Sequence, residues 1–205
     1  MKIFVTGTDT DVGKTVFSAA LVAALEASYW KPIQAGALEQ TDSDTVRKLA
    51  GLPPPKVFAE GYRLTTPCSP HRAAELDCVQ IDPDGLGLPD ADPLIVEGAG
   101  GLLVPISREM LVIDLVASWQ LPVVLVARTS LGTINHSLLS IEALRSRKIP
   151  ILGIAFVGEA SPDSEEVICA LGDVKRLGRL PILEPLDSAA LGRAFAANFR
   201  LEDFR

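Results

Sequence analysis

The chain has 205 residues, enough for one sizeable α/β domain spanning 1–205 and too few for two. Its 48% apolar and 22% charged residues are typical of globular proteins, and its net charge of −7 argues against nucleic-acid binding through a general basic surface. No apolar run approaches the length of a membrane span, and a strand pattern starts at once, so we expect neither a membrane segment nor a signal peptide. Three widely spaced cysteines fit neither a metal set nor a disulfide framework, which predicts a cytoplasmic protein with reduced thiols.

The stretch VTGTDTDVGKT at 5–15 predicts a phosphate-binding loop. An apolar strand leads into it, and a helical pattern begins at Val16. Backbone N–H groups of such a loop and of the following helix point at phosphate oxygens. We expect Gly13 to allow close approach of the backbone, Lys14 to reach the β- and γ-phosphates, and Thr15 to ligate Mg²⁺.

The spacing of this loop departs from the usual pattern. The common motif has its first glycine six residues before the lysine, where this chain has Thr8, and Gly7 stands one residue earlier. The loop is therefore a G-x5-GKT variant. An ordinary glycine-containing turn is the alternative, but the order of strand, loop and helix favours phosphate binding.

The next segments place a lysine and an acid near this loop. Residues 16–27 predict a helix, and residues 29–33 a short strand that ends near Pro32. Lys31 then lies at the sheet edge where ligands bind in open α/β sheets, although a solvated lysine is the alternative. After a loop at 36–41, Thr41 or Asp42 should cap a helix to about residue 51. Asp44 falls in its first turn, where an acid is commonly only a dipole partner.

A second acid follows a buried strand. Residues 51–70 and 77–92 are rich in Pro and Gly and read as irregular chain, with a short helix starting at Ser69 and Pro70. The apolar run at 93–96 then ends on EGAGG. Glu97 beside a phosphate-binding loop can hold Mg²⁺ directly or through water, and burying it without a cation would be costly. An acid that caps the next turn is the alternative.

The rest of the chain alternates between helices and strands. We predict strands at 122–127, 149–157 and 179–183, and helices at 112–119, 161–171 and 186–199. The segment SLGTINHS at 130–137 leads into a further helix that ends at Ser146. Thr133 is the expected cap of its helix, which would leave free N–H groups near Ile134 and Asn135 as an anion site. The fold class predicted is α/β, a three-layer α/β/α arrangement of the P-loop NTPase type with a mostly parallel sheet of about six or seven strands.

Seven segments, in this order, resemble the dethiobiotin synthetase family of the biotin pathway. They are VTGTDTDVGKT at 5–15, KPIQAG at 31–36, SDTVRKL around Asp44, TPCSPHRAA at 66–74, VEGAGGLLVP at 96–105, LPVVLVAR at 121–128 and LGTINHS at 131–137. The resemblance implies a homodimeric cyclo-ligase that uses ATP and Mg²⁺. It also implies the reaction: CO₂ and 7,8-diaminopelargonate give a carbamate, ATP phosphorylates it to a carbamic–phosphoric anhydride, and ring closure releases dethiobiotin, ADP and phosphate.

The resemblance also implies the roles of individual residues. The catalytic group would be Lys31, Lys14 and Thr10, with Lys31 contacting the carbamate and the γ-phosphate. Mg²⁺ would be held by Thr15, Asp44 and Glu97. The nucleotide would be bound by Asp11, Val12, Gly13, Lys14, Thr15, Val16, Asp44, Glu97, Gly98, Ala99, Gly100, Val157, Pro181, Ile182 and Leu183. The substrate would contact Lys31, Ala35, Gly100, Thr133, Ile134 and Asn135, with its carboxylate held across the dimer interface.

Several positions depart from the family pattern. Ala35 stands where a hydroxyl residue is usual, and Val157 stands where an asparagine commonly reads the adenine edge. Adenine would then be held by backbone groups around 181–183, so we expect weak selectivity for the base. The segments before Lys31 and before Pro93 are also short.

Three other functions deserve comparison. Partitioning and septum-positioning ATPases carry a second lysine five residues before the loop lysine, where this chain has Asp9. Amidotransferase-linked ligases of this fold need a glutaminase domain, for which the chain has no room. A nucleotide-binding module without catalytic activity is the third alternative.

Overall fold

The computed structural model describes residues 1–36, 38 and 40–205. Its eight strands are β1 (Lys2–Gly7), β2 (Ser28–Trp30), β3 (Ile33–Gln34), β4 (Tyr62–Arg63), β5 (Leu94–Gly101), β6 (Val123–Arg128), β7 (Ile151–Val157) and β8 (Arg176–Leu180). Its seven α-helices are α1 (Lys14–Leu25), α2 (Asp42–Ala50), α3 (Pro70–Leu76), α4 (Val112–Trp119), α5 (Thr133–Ser146), α6 (Pro162–Gly172) and α7 (Ser188–Asn198). Short 3-10 helices lie at Pro54–Lys56, Pro83–Gly85 and Leu201–Phe204.

Six of these strands form one parallel sheet in the order β2-β5-β1-β6-β7-β8. The two remaining strands, β3 and β4, pair in parallel as a small separate sheet. The predicted α/β class and the mostly parallel sheet are therefore confirmed. Strands buried on both faces need apolar residues at every position, which is why the β1, β6 and β7 segments read as continuous hydrophobic runs.

Alternate residues of the central strand face opposite layers of helices. Ile3 and Val5 of β1 pack with α1, α2 and α7, whereas Phe4 packs with α4 on the other face. Phe17 of α1 contacts an aromatic cluster at the C-terminal end of the chain, with ring centroids 5.6 to 6.3 Å away; its members are Phe195, Phe199 and Phe204. These layers hold the start of α1 firmly against the sheet.

Two strand boundaries differ from the sequence prediction in ways that matter for the site. β5 does not end at Val96 but continues to Gly101, because the glycines still pair their backbone with β1, with Gly101 opposite Gly7. β8 ends at Leu180 rather than at Leu183, since Pro181 has no N–H for the ladder. Residues 181–183 therefore follow the strand as loop.

The remaining predictions mostly agree with the structure. α4 has the predicted bounds, and α3 starts at Pro70 with Ser69 as its N-cap. The predicted loop at 36–41 includes residues 37 and 39, which lie outside the described residues. Within the described part of the chain, no helix combines the length and hydropathy needed to cross a bilayer.

Candidate active site

The loop between β1 and α1 has the geometry of a phosphate cradle. Gly13 has φ of 90°, in the left-handed region, and a Cβ there would lie 2.7 Å from Cγ1 of Val157. Only glycine satisfies both constraints, and its carbonyl accepts the first helical hydrogen bond, from Phe17 N at 2.9 Å. Free N–H groups of the first turn of α1 therefore face the sheet edge where parallel strands present their carboxyl ends.

Lys14 lies folded over this loop. Its ammonium donates to the carbonyl of Asp9 at 2.8 Å, and the side chain is largely buried. Burial lowers the pKa of Lys14, and the neighbouring charge of Lys31 lowers it further. Two buried ammonium groups close to each other concentrate the positive charge that an anionic ligand needs.

Glu97 of β5 forms the centre of the polar cluster and is fully buried. Its Oε1 accepts hydrogen bonds from Thr15 Oγ1 at 2.8 Å and from Lys31 Nζ at 3.2 Å. Its Oε2 accepts a hydrogen bond from the hydroxyl of Tyr29 at 3.0 Å. The sequence predicted Glu97 but not Tyr29, because a tyrosine inside a short apolar strand carries no sign of a polar role.

Lys31 follows β2 directly and is only 4% exposed, so it is not a solvated lysine. It forms ion pairs with Glu97 and Asp42, and it also donates to the carbonyl of Gly98 at 3.2 Å. Burial alone would lower its pKa, but the carboxylates of Glu97 and Asp42 outweigh burial, and the pKa of Lys31 is raised. The side chain therefore stays cationic at neutral pH.

The structure places Asp44, which the resemblance assigned to Mg²⁺, in a helix cap and not in the polar cluster around Glu97. Thr41 is the N-cap of α2, and Asp44 Oδ2 accepts from its N and Oγ1 at 3.2 and 2.8 Å in a capping box. Asp44 also pairs with Arg47, whereas the carboxylates that pair with Lys31 are those of Asp42 and Glu97. Asp42, the first residue of α2, reaches the site instead. The pattern Thr-x-x-Asp could have revealed the capping box from the sequence.

Asp42 forms an ion pair with Lys31 and a hydrogen bond with Thr15. Burial would raise its pKa, but Lys31 and a hydrogen bond with Thr15 outweigh burial, and the pKa of Asp42 is lowered. Its backbone N–H donates to Oε1 of Gln34 at 3.0 Å. Gln34 is a second residue that the sequence analysis missed, and it is buried. Its place shortly after Lys31, in KPIQ at 31–34, is the signal that could have pointed to it.

These side chains surround a polar cavity of about 760 Å³. Five of the residues predicted to be catalytic or to bind substrate line it, namely Thr10, Lys14, Lys31, Ala35 and Gly100. Thr15 and Ala99, predicted to bind the nucleotide, line it as well. Asp42, Gln34 and Cys68 also line it. Cys68 is a free cysteine, as are Cys78 and Cys169.

A second cavity, of about 610 Å³, lies on the other side of the loop. It contains the residues predicted to hold the base, which are Val157, Pro181, Ile182 and Leu183, together with Leu180 and Leu186. Asp11, Gly13 and Val16 line both cavities, and Val12 lines the second. A nucleotide can therefore extend across the loop, with its base in one cavity and its phosphates in the other.

The start of α5 differs from the sequence prediction, and the helix contributes no described residue to the lining of either cavity. Its N-cap is Gly132, with φ of 95°, rather than Thr133, because glycine adopts this left-handed conformation without a Cβ clash. Thr133 is buried, with its Oγ1 3.5 Å from Ser137 Oγ. Of the described residues that line the two cavities, none belongs to α5, so Ile134 and Asn135 are not brought to the site within one chain.

The polar cluster fits a magnesium ion that is shared with a nucleotide. Among the residues that the structure describes, no group of three His, Cys, Asp or Glu side chains forms a complete metal cage. Mg²⁺ usually takes only one or two carboxylates and fills its other positions with water and phosphate oxygens. One hydroxyl and two carboxylates, from Thr15, Asp42 and Glu97, match that requirement.

Comparison with known proteins identifies the family. A family model described as an AAA domain matches residues 1–190. The ATP-dependent dethiobiotin synthetase BioD of Novosphingobium aromaticivorans is 64% identical, with 98% of this chain and 97% of that protein covered. The protein of the same description from Rhodopseudomonas palustris is 63% identical over 98% of this chain and 96% of its own length.

Solved structures support the fold alone. A ParA family ATPase from Chlorobium tepidum matches with a TM-score of 0.51 and 14% identity, covering 95% of this chain and 90% of that one. The MinC:MinD complex of Aquifex aeolicus matches with a TM-score of 0.52 and 15% identity, covering 94% and 86%. From the full-length similarity to the synthetases, the chain belongs to the dethiobiotin synthetase family, an enzyme family of cyclo-ligases.

Proposed function

We propose that the chain uses ATP, Mg²⁺ and CO₂ to carboxylate 7,8-diaminopelargonate and close it to dethiobiotin, releasing ADP and phosphate. A carbamate and a carbamic–phosphoric anhydride are the intermediates. The observation that supports this most directly is the buried ammonium of Lys31, set in the polar cavity between two carboxylates and beside the phosphate cradle. The names of the relatives support the overall reaction.

ATP binding follows from the two cavities. The loop N–H groups and Lys14 would bind the phosphates, because helix N-termini and ammonium groups both favour anions. The base would occupy the cavity lined by Val157 and residues 181–183, held by apolar contact and backbone groups. This arrangement directs the γ-phosphate towards the polar cavity that contains Lys31.

The donors Thr15, Asp42 and Glu97 would hold Mg²⁺, with Asp42 in the role that the sequence assigned to Asp44. The bound ion would neutralise the oxygens of the β- and γ-phosphates during transfer. Because both carboxylates contact Lys31 in the structure, a metal that took over these oxygens would release that ammonium.

Lys31 would then stabilise the carbamate and the transferring phosphoryl group. Before the metal binds, the two carboxylates raise its pKa; in the reacting complex the anionic phosphoryl group and carbamate would take their place beside the ammonium, so Lys31 acts as a fixed positive charge and not as a proton acceptor. A positive group aimed at developing negative charge in a buried site is typically among the largest contributions to catalysis. Lys14 would share this role at the leaving phosphate.

Ring closure needs little more than positioning. The second amine attacks the carbonyl carbon of the anhydride, the bond from that carbon to the phosphate oxygen breaks, and the amine proton leaves with solvent. The polar cavity brings the reacting groups together and limits access of water, which would otherwise hydrolyse the anhydride.

The substrate carboxylate would be bound by the start of α5 of a second copy of the chain. Thr133, Ile134 and Asn135 lie outside the cavities of their own chain, and Leu131 beside them is fully exposed. A helix start provides N–H groups suited to a carboxylate. We therefore propose a homodimer in the cytoplasm, where thiols such as Cys68 stay reduced.

The test is a coupled assay of the purified chain. Phosphate release should require the diamine, bicarbonate, ATP and Mg²⁺ together, and mass spectrometry should find dethiobiotin in equal amount to ADP. Phosphate release that continues without the diamine would instead favour an ATPase. Nucleotide binding without any phosphate release would favour a binding module.

A further inference from the structure

Tyr29 makes a contact that the proposed reaction does not yet use. It lies in the middle of β2, its side chain is fully buried, and its hydroxyl donates to Oε2 of Glu97 at 3.0 Å. In the parallel pairing of β2 with β5, Tyr29 is opposite Ile95. Residues two apart on a strand share a face, so Glu97 projects from the same face as Ile95 and meets the tyrosine.

The two oxygens of Glu97 have different partners. Oε1 accepts from Thr15 and Lys31, and both of these groups would change partner when Mg²⁺ and ATP bind. Oε2 accepts from Tyr29, which lies deeper in the sheet, away from the residues that line the polar cavity. The tyrosine contact is therefore the one that can persist through the reaction and fix the orientation of the carboxylate.

Packing alone does not explain a tyrosine at this position. The chain contains seven phenylalanines, and Phe4 and Phe17 fill the two cores on either side of the central strand. A phenylalanine at 29 would supply the same ring without the cost of burying a hydroxyl. A buried hydroxyl is tolerated because it has a hydrogen-bond partner, and here the partner is the central carboxylate of the site.

We propose that Tyr29 is a positioning residue, whose hydroxyl holds Oε2 of Glu97 so that Oε1 is presented to the metal beside Thr15. This rests on the proposed function in assigning Mg²⁺ to that carboxylate. Groups that hydrogen-bond to a metal ligand fix its direction, and their loss typically weakens metal binding by about 10–100-fold.

The experiment compares Tyr29→Phe with Tyr62→Phe. These are the only two tyrosines in the chain, and Tyr62 hydrogen-bonds through its hydroxyl to Asp82 on the surface. For each variant, the Mg²⁺ concentration that gives half-maximal activity is measured. Binding of Mn²⁺ to the protein–ADP complex is measured separately by electron paramagnetic resonance, which reports the site without turnover.

Tyr29→Phe should need about tenfold more Mg²⁺ and bind Mn²⁺ about tenfold more weakly, whereas its affinity for ADP in EDTA should match wild type. Tyr62→Phe should match wild type in its Mg²⁺ requirement, its Mn²⁺ affinity and its ADP affinity in EDTA. In a Glu97→Gln background, Tyr29→Phe should cause no further loss of Mn²⁺ affinity, because the two residues act through one contact.

The proposal is overturned by a Tyr29→Phe enzyme with wild-type Mg²⁺ and Mn²⁺ dependence. It is also overturned if Tyr29→Phe loses as much affinity for ADP in EDTA as it loses for Mn²⁺, or if this variant no longer folds. Either result would show that the hydroxyl serves general stability. These outcomes are separate from failure of the proposed function, in which wild type itself would show no diamine-dependent turnover.

Discussion

The cavities on the two sides of the phosphate-binding loop differ in the kind of side chain that dominates their lining. The polar cavity owes its character to charged side chains, namely Lys14, Lys31 and Asp42, with Glu97 fully buried behind them. The other cavity is lined by aliphatic side chains and loop backbone around Val157 and residues 181–183, with Arg128 and Glu159 also in its lining. The two share Asp11, Gly13 and Val16, so a single loop separates them.

This difference indicates that the polar cavity would hold the reacting groups, whereas the other cavity would hold the base mainly by its shape. A reaction among anions needs fixed cations at defined positions, because misplaced charge is costly in a buried site. A purine ring can be held by surface contact alone. Changes in the polar cavity should therefore alter rates strongly, whereas changes in the apolar cavity should alter the preference among nucleotides modestly.

The largest effect is expected at Lys31. Lys31→Ala should lower kcat by about 10²–10³-fold with little change in ATP affinity, as is typical when one stabiliser of developing charge is removed. Lys48→Ala, on the exposed side of α2, is the matched control and should match wild type. Steady-state kinetics and nucleotide titration provide both quantities. A Lys31→Ala enzyme with near wild-type kcat would contradict the claim that Lys31 stabilises the developing negative charge in the polar cavity.

Replacing Lys14 should have opposite effects on ATP binding and on the thermal stability of the free protein. Lys14→Met should weaken ATP binding by roughly 10–100-fold, since hydrogen bonds to charged groups contribute about 1.5–3 kcal/mol. Without nucleotide the variant should melt at a higher temperature, because burial lowers the pKa of Lys14 and its charge therefore destabilises the fold.

The pH dependence fixes the sign of this effect. The folded chain releases the Lys14 proton more easily than the unfolded chain, so wild type should gain stability relative to Lys14→Met as the pH rises towards 10.5. Thermal unfolding of both proteins over that range is the measurement. A gap in melting temperature that widens with pH would contradict the assignment.

The two acids at the start of α2 provide a paired comparison. Asp42→Ala should raise the Mg²⁺ requirement at least about tenfold, because a direct ligand should matter no less than an outer partner of one. Asp44→Ala should leave that requirement unchanged and lower the free energy of unfolding by about 1 kcal/mol through loss of the cap. Magnesium titrations and chemical denaturation distinguish them. The reverse pattern would restore Asp44 to the metal site.

The smallest effect is expected in the apolar cavity. Wild type should prefer ATP over CTP and GTP by less than about tenfold, since no side-chain amide is placed at Val157 and one hydrogen bond contributes about 1 kcal/mol. Val157→Asn should increase the preference for ATP by about fivefold. Competition assays with the three nucleotides measure this. A strong preference for ATP in wild type would show that backbone groups read the base.

The sequence was sufficient to predict the loop, the parallel sheet and several of the residues that the structure brings together around the polar cavity. The order of strand, glycine loop, Gly13 and Lys14 predicts local geometry because few other sequences allow a backbone to approach phosphate so closely. Lys31 and Glu97 were predictable because carboxyl ends of parallel strands meet at one edge.

The rest depends on contacts between segments far apart in the chain. Asp42 and Asp44 are two residues apart on a helix, about 200° around its axis, so only one can face the site, and the choice depends on which residue caps the helix. Tyr29 and Gln34 are neutral residues in short strands. Their roles become visible only when β5 and α2 are placed against them.

The ion pairs of Lys31 have a practical consequence. Lys14, Lys31, Asp42 and Glu97 contribute two positive and two negative charges, so these four buried or half-buried side chains balance one another without a metal. Folding should therefore need no divalent ion, in contrast to small zinc domains whose ligands repel one another until metal arrives. Purification and long storage in metal-free buffer should leave the fold intact.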